Sequence, residues 1–126
     1  MQHVYIIGSR GLPAKYGGFE TFVEELVKNK QSSDIVYHVA CLSDDKHHTH
    51  FKYEGADCFT IKVPKIGPAR VIAYDMMAIT YALKVIKKQQ IERPIFYILG
   101  NTIGGFIVPF AKMIHSVGGT LFVNPD

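Results

Sequence analysis

The feature that most constrains this chain is the apolar run at residues 4–7, which Gly8 closes. A continuous run rich in β-branched residues is typical of a strand buried on both faces, as in a parallel sheet covered by helices. After a glycine-rich loop, residues 19–30 predict an amphipathic helix. Its apolar face comprises Phe19, Phe22, Val23, Leu26 and Val27. The chain therefore opens with the strand, loop and helix of an α/β sheet.

The rest of the sequence continues this alternation. It predicts strands at residues 35–42, 51–53, 58–63, 95–99 and 120–123, helices at 70–90 and 106–115, and a turn at 54–57. Such an order indicates an α/β fold with a Rossmann-like open parallel sheet of five to six strands and helices on both faces. The expected core strand order is 3-2-1-4-5. No helix follows the last strand, so we expect residues 1–126 to be one domain of a longer chain.

Composition excludes several classes of protein. The chain has 126 residues, 48% of them hydrophobic, and a formal net charge of +3. These values indicate a compact domain rather than a disordered chain. Residues 61–126 carry eight basic and three acidic side chains, a balance that suits a phosphate-bearing ligand or an anionic membrane surface but is too mild for nucleic acid. No targeting signal or membrane span is predicted.

The candidate ligand site is the edge where strands 1 and 4 end, because open α/β sheets bind ligands there. The loops at residues 8–18 and 100–105 and the chain end at 124–126 converge on it. Gly17 and Gly18 precede the first helix, so backbone amides could approach an anion at its N-terminus. Glu20 would repel a bare diphosphate but could accept hydrogen bonds from hydroxyl groups. A sugar together with a phosphate fits this loop better than a phosphate alone.

Residues 7–21, IGSRGLPAKYGGFET, resemble the opening motif of bacterial rhamnosyltransferase-like glycosyltransferases. These are GT-B proteins of the retaining family 4 that act in capsule and cell-wall polysaccharide assembly. The ending at residues 122–126, FVNPD, resembles their fifth strand. The resemblance implies two Rossmann-like domains that face a cleft. This chain would be the N-terminal, acceptor-side half, and the C-terminal domain that binds the nucleotide-sugar would be absent from it.

The resemblance implies roles for several residues. Gly17, Gly18, Glu20 and Thr21 would lie near the donor diphosphate, and Asp126 is the catalytic candidate because related enzymes often carry a His or Asp there. Candidate acceptor-binding residues are Arg10, Lys15, Tyr16, Tyr74, Asp75, Asn101 and Thr102. Asn101 and Thr102 are equally consistent with capping a loop, and Asp75 with a salt-bridged core group. Basic residues near 62–70 and 84–88 form either a solvated face or a peripheral membrane patch.

The implied reaction moves a sugar, with rhamnose as one candidate, from a nucleotide-sugar to a polysaccharide or lipid-linked glycan with retention. The leaving diphosphate helps to accept the proton of the acceptor, so this half needs no strong base. The nucleotide-sugar is a substrate, and no cofactor is expected. His47, His48 and His50 indicate a solvated loop rather than a metal site. We expect a cytoplasmic protein, or one peripheral to the inner face of the plasma membrane, and an inactive domain when this chain stands alone.

Two other functions stay open. An NAD(P)-type Rossmann oxidoreductase would need GxGxxG spacing and an acidic residue at the end of the second strand. The sequence there is Cys41-Leu42-Ser43, with Asp44 only beyond it, which counts against this function. A non-catalytic glycan-binding module is the other alternative, and it would bind a glycan without transferring a sugar.

Overall fold

A computed structural model describes residues 2–8, 18–29, 34–43, 50–63, 67, 69–99 and 107–124. Strands and helices alternate along these residues, and no bound differs from its predicted position by more than two residues. The strands are β1 (Gln2–Ile7), β2 (Ile35–Ser43), β3 (His50–Tyr53), β4 (Ala56–Lys62), β5 (Ile95–Leu99) and β6 (Thr120–Asn124). The helices are α1 (Gly18–Lys28), α2 (Ala69–Gln89) and α3 (Ile107–Ser116).

The six described strands form one sheet in the order β3-β4-β2-β1-β5-β6. Neighbouring strands pair in parallel except for β3, which runs antiparallel to β4. With the short β3 set aside, the order is the predicted 3-2-1-4-5, and the Rossmann-like fold is confirmed. The direction of the crossovers reverses between β1 and β5, which makes their boundary the topological switch point of the sheet.

The central strand β1 is buried on both faces, as its apolar run predicts. Tyr5, Ile6 and Ile7 are each at most 2% exposed. Because successive side chains of a strand point to opposite faces, Tyr5 and Ile7 pack in one core cluster and Ile6 packs in the other. The two clusters form the helix-covered layers on either side of the sheet.

Helix α1 covers one face of the sheet. Val23 and Val27 lie one turn apart and are buried in the same cluster as Ile6 and Val39. Phe22 is 43% exposed, and its ring lies against that of Tyr97 on β5, with the ring centroids 6.3 Å apart. The buried face of this helix is therefore narrower than the predicted apolar stripe.

Helices α2 and α3 cover the opposite face. Buried side chains recur at helical spacing along α2, from Tyr74 to Ile86, and α3 adds Phe110 and Ile114. The arrangement follows from the topology, because right-handed crossovers that leave the switch point in opposite directions place their helices on opposite faces. Among the described residues, neither helix is long and apolar enough to cross a bilayer.

The hairpin between β3 and β4 is tighter than the sequence predicts. Its turn consists of Glu54 and Gly55, with φ values of 49° and 82°. Two central residues with positive φ are the mark of a type I′ turn, whose twist matches that of the flanking strands. Tyr53 consequently pairs with Ala56. The turn predicted over residues 54–57 is wrong by two residues, which belong to β4.

Gly8 ends β1 in a conformation and a space that only glycine fits. Its φ is +112°, and a Cβ on it would overlap the backbone carbonyl oxygen of Leu99 at the end of β5. Gly118, in the turn between α3 and β6, also has a positive φ of +78°, but a Cβ there would meet no atom within 4 Å. Substitutions at the two glycines can therefore distinguish the effect of backbone strain, which both positions share, from that of steric overlap, which applies only at Gly8.

We expect Gly8→Ala to lower the free energy of unfolding by about 3 kcal/mol, because it adds overpacking to an unfavourable φ. Gly118→Ala is the matched control and should lower the free energy of unfolding by about 1 kcal/mol, since it meets the unfavourable φ but no steric overlap. Urea unfolding followed by far-ultraviolet circular dichroism measures both. Equal losses in the two variants would contradict the close contact between Gly8 and β5.

Candidate functional site

The carboxyl ends of β1, β5 and β6 lie side by side and form the candidate ligand site. Ile7 pairs with Ile98, and Leu99 pairs with Asn124, so the three strands end at one edge of the sheet. Helix α1 begins at Gly18, and because it follows β1 and crosses back over the sheet, its N-terminus opens at the same edge. This is the edge that the topology of the sheet predicts for ligand binding.

The described part of this edge offers backbone groups to a ligand. Gly8 places the chain directly against Leu99, so no side chain from Gly8 fills the crevice between β1 and β5. The first N–H groups of α1 have no acceptor within the helix, and the helix dipole favours negative charge near them. The edge can therefore hold an anionic group through main-chain donors.

The predicted donor-loop residues that the structure describes lie in the first turn of α1. Gly18 and Glu20 belong to the helix, and Thr21 follows with an exposed side chain. The helix thus begins one residue earlier than predicted, and Gly18 is its first residue. Seven predicted site residues lie outside the described residues and stay predictions: Arg10, Lys15, Tyr16, Gly17, Asn101, Thr102 and Asp126.

Tyr74 and Asp75, the predicted acceptor residues on α2, lie in the buried layer. Their exposures are 3% and 2%, and each takes part in an interaction with another group. A carboxylate this deep needs such an interaction to offset its lost hydration. Their burial places both residues beneath the surface of the domain, and their role as acceptor ligands stays a prediction.

The structure also contains a polar cluster that the sequence analysis missed, which we call the sheet cluster: His3, Tyr5, His38 and Asp57. His3 Nδ1 lies 2.8 Å from His38 Nε2, and His38 Nδ1 lies 3.1 Å from Asp57 Oδ2. The rings of Tyr5 and His38 stack with their centroids 4.3 Å apart. Since an ionised carboxylate only accepts hydrogen bonds, neutral His38 donates from Nδ1 and accepts from His3 at Nε2.

Burial sets the protonation of this cluster. Burial is the main reason that the pKa of His38 is lowered, although the hydrogen bond and charge of Asp57 oppose the shift. Burial also lowers the pKa of His3, with a smaller contribution from the N-terminal amino group. The pKa of Tyr5 is raised, first by burial and then by the charge of Asp57. The rings of His3, Tyr5 and His38 are therefore uncharged and lie beside the carboxylate of Asp57.

The register of the sheet brings these residues together. Tyr5 lies opposite His38, and His38 lies opposite Asp57, so one cross-strand row carries three members. The alternation of His3 and Tyr5 on β1 is a sequence signal that they share a face. Their partners could be found only with the pairing of β1, β2 and β4.

The described part of the chain holds no group of three His, Cys, Asp or Glu residues suited to a metal ion. His50 pairs through its Nε2 with the hydroxyl of Tyr81 at 2.8 Å. His47 and His48 lie outside the described residues.

Comparisons with known proteins agree with the fold. Over residues 1–126 the sequence matches the family described as "Domain of unknown function (DUF1972)", and the chain belongs to that family. The structure is similar to one described as trehalose-6-phosphate from E. coli bound with UDP-2-fluoro glucose, with a TM-score of 0.50 and 9% sequence identity. The match covers 98% of this chain and 32% of that chain, so this chain spans about a third of its neighbour. Such a low identity supports the fold alone. No curated protein matches the sequence.

The histidine pair makes the stability of the domain depend on pH. The pKa values of His3 and His38 are lowered from 6.5 in the folded state, so the unfolded chain takes up protons first as the pH falls. We expect the free energy of unfolding to be constant above about pH 6.5 and to fall below it, until the pH passes the lowered folded-state values. Urea unfolding between about pH 5 and pH 8 measures this.

His38→Phe keeps an aromatic ring against Tyr5 but removes one titrating group, so the loss of stability below pH 6.5 should become smaller. Tyr37→Phe, at the next position of β2 and in the other core cluster, is the control and should keep the slope of the parent. If the free energy of unfolding depends on pH in His38→Phe as it does in the parent, then His38 does not contribute to the loss of stability below pH 6.5.

Proposed function

We propose that this member of the DUF1972 family is the acceptor-side half of a nucleotide-sugar-dependent glycosyltransferase. The observation that carries the proposal is the glycine-bearing edge at the β1–β5 switch point, where Gly8 packs its backbone against Leu99 and α1 begins at Gly18. The loop at this edge holds the motif of residues 7–21. Further support comes from the fold neighbour, which is bound to the nucleotide-sugar analogue UDP-2-fluoro glucose.

In this proposal the N-terminus of α1 faces the donor. The backbone at Gly17 and Gly18 approaches the diphosphate, whose negative charge the helix dipole stabilises. Glu20 accepts hydrogen bonds from hydroxyl groups of the donor sugar, and the Thr21 hydroxyl group donates to or accepts from them. The departing diphosphate takes up the proton of the attacking acceptor hydroxyl on the same face of the sugar ring, which gives retention.

The acceptor occupies the loop side of the same crevice. Candidate binding residues there are Arg10, Lys15, Tyr16, Asn101 and Thr102, with Tyr74 and Asp75 in the layer beneath and Asp126 as the catalytic candidate. A second Rossmann-like domain supplies the main contacts to the nucleotide-sugar. We propose a polysaccharide or lipid-linked glycan as acceptor, rhamnose as one candidate donor sugar, and the cytoplasm as the location of the reaction.

Gly17→Val in the full-length protein tests the donor loop. A side chain there should prevent close approach of the backbone and reduce sugar transfer by about a hundredfold, as small misplacements at reacting centres do. Release of nucleoside diphosphate from a panel of nucleotide-sugars, with and without glycan acceptors, measures the rate. Circular dichroism verifies that the variant is folded.

Gly118→Val is the matched control, because it also places valine at a loop glycine but lies in the turn before β6, away from the carboxyl edge. It should retain transfer. Unchanged transfer in Gly17→Val would contradict the loop assignment. Saturable glycan binding without nucleoside diphosphate release from any donor would favour a binding module instead.

We also propose that the outer surface of α2 and α3 rests on an anionic membrane. It combines exposed apolar side chains with lysines, and the one acidic residue of the two helices, Asp75, is buried. The exposed apolar residues are Val71, Met77, Val108 and Met113. The exposed lysines are Lys84, Lys87, Lys88 and Lys112. Basic and apolar groups together favour the interface of a bilayer with anionic headgroups.

Lys84→Ala and Lys112→Ala should each weaken binding to vesicles that contain phosphatidylserine by about fivefold, at about 1 kcal/mol per lysine. Lys28→Ala, at the end of α1 on the other face of the sheet, should bind like the parent. Vesicle co-sedimentation at low and high salt measures these affinities. Equal effects of all three substitutions would argue against a contact through α2 and α3.

A further inference from the structure

A cavity of about 300 Å³ lies between the sheet and the C-terminal half of α2. Tyr5 and Asp57 of the sheet cluster line it on one side, and Tyr81 and Lys88 line it from the helix. Because α2 crosses back over the sheet after β4, its C-terminal half lies toward the amino ends of the parallel strands. The cavity is therefore separate from the carboxyl edge to which the proposed transfer reaction is assigned.

Aromatic rings form much of the wall. Phe59 and Tyr81 stack with their centroids 5.0 Å apart, and His50 lies 5.9 Å from Tyr81. The hydrogen bond between the Tyr81 hydroxyl group and His50 Nε2 fixes these two rings relative to each other. Such rings offer flat apolar faces next to polar atoms, which suits a ligand that is itself apolar on one face and polar at its rim.

One buried polar group beside the cavity lacks a partner. Tyr5 is 2% exposed, and its hydroxyl group makes no hydrogen bond within the part of the chain that the structure describes. Buried hydroxyl groups in native proteins are nearly always paired, so each exception needs an explanation. Tyr5 is one of the residues that line the cavity, and a ligand hydroxyl group that reaches the Tyr5 hydroxyl group would supply the missing partner.

The charges of the lining select against ionic ligands. Asp57 would repel an anion and Lys88 would repel a cation, whereas a hydrocarbon would leave the Tyr5 hydroxyl group without a hydrogen bond. A neutral ring with several hydroxyl groups can donate to Asp57, accept from Lys88, pair with Tyr5 and stack on the aromatic wall. The volume is at the lower end of that of small-molecule sites, which fits one such ring and not a nucleotide-sugar.

We propose that this cavity is a binding site for a neutral hexose-like ring, distinct from the transfer site. The ring is either a free monosaccharide or the terminal unit of a glycan, because both present the same hydroxyl groups and apolar face. Tyr5, His38 and Asp57 of the sheet cluster and the C-terminal half of α2 line the site. Among the described residues, none that is proposed for sugar transfer takes part in it.

Saturation-transfer-difference NMR on the full-length protein tests the proposal, with methyl hexosides, an oligosaccharide of the same sugar and inorganic phosphate as probes. A hexoside should bind saturably. Tyr5→Phe removes only the hydroxyl group and should weaken that binding by about tenfold. Lys88 is exposed, so Lys88→Met should not affect folding. This variant should also weaken hexoside binding. Binding of the oligosaccharide at least as tight as that of the hexoside identifies a glycan end as the ligand, and markedly weaker binding of the oligosaccharide identifies a free sugar.

Tyr37→Phe and Lys84→Met are the matched controls, since neither residue lines the cavity, and both should bind like the parent. The proposal is overturned if no hexoside binds, or if binding survives unchanged in Tyr5→Phe and Lys88→Met. It is also overturned if phosphate competes as well as the hexoside does. Nucleotide-sugar turnover, measured separately, reports on the transfer site, so failure at one site is distinguishable from failure at the other.

Discussion

The central strand β1 is packed between helices on both of its faces, and the two regions of interest in this domain depend on that position. Its burial at Tyr5, Ile6 and Ile7 anchors the sheet at the point where the crossovers reverse. One end of the strand leads through Gly8 into the carboxyl edge, and its α2 side carries Tyr5 into the cavity. A substitution that shifts β1 along its neighbours would therefore disturb both regions together.

Much of the fold could be predicted from the sequence because it rests on local patterns. The apolar run of β1 and the spacing of Val23 and Val27 each specify an element, and the handedness of crossovers specifies the order of strands. The hairpin turn lies at Glu54 and Gly55, within the predicted range, but its length could not be predicted in this way, because a non-glycine residue with positive φ leaves no periodic signal. Its length depends on the pairing of Tyr53 with Ala56.

The two candidate sites differ in how visible they are in a sequence. At the carboxyl edge we propose contacts through the backbone, and a close approach of the backbone requires glycine, so Gly17 and Gly18 are conspicuous in the sequence. The cavity uses side chains that belong to separate strands and a helix. His38 and Asp57 are 19 residues apart in the chain, and neither forms a motif with its sequence neighbours. Only the register of three strands brings them together, which is why no role could be predicted for them from the sequence.

The hairpin also gives the two borders of the sheet different properties. At one border, β3 turns back antiparallel as a strand of only four residues, a short border that resists pairing with other chains. At the other, β6 is the outermost described strand, and Phe122 and Val123 are 52% and 44% exposed. Unpaired backbone groups beside exposed apolar side chains are a template for strand addition. Any self-association of this domain through its sheet would consequently pair β6 with β6 of a second copy and stop at a dimer.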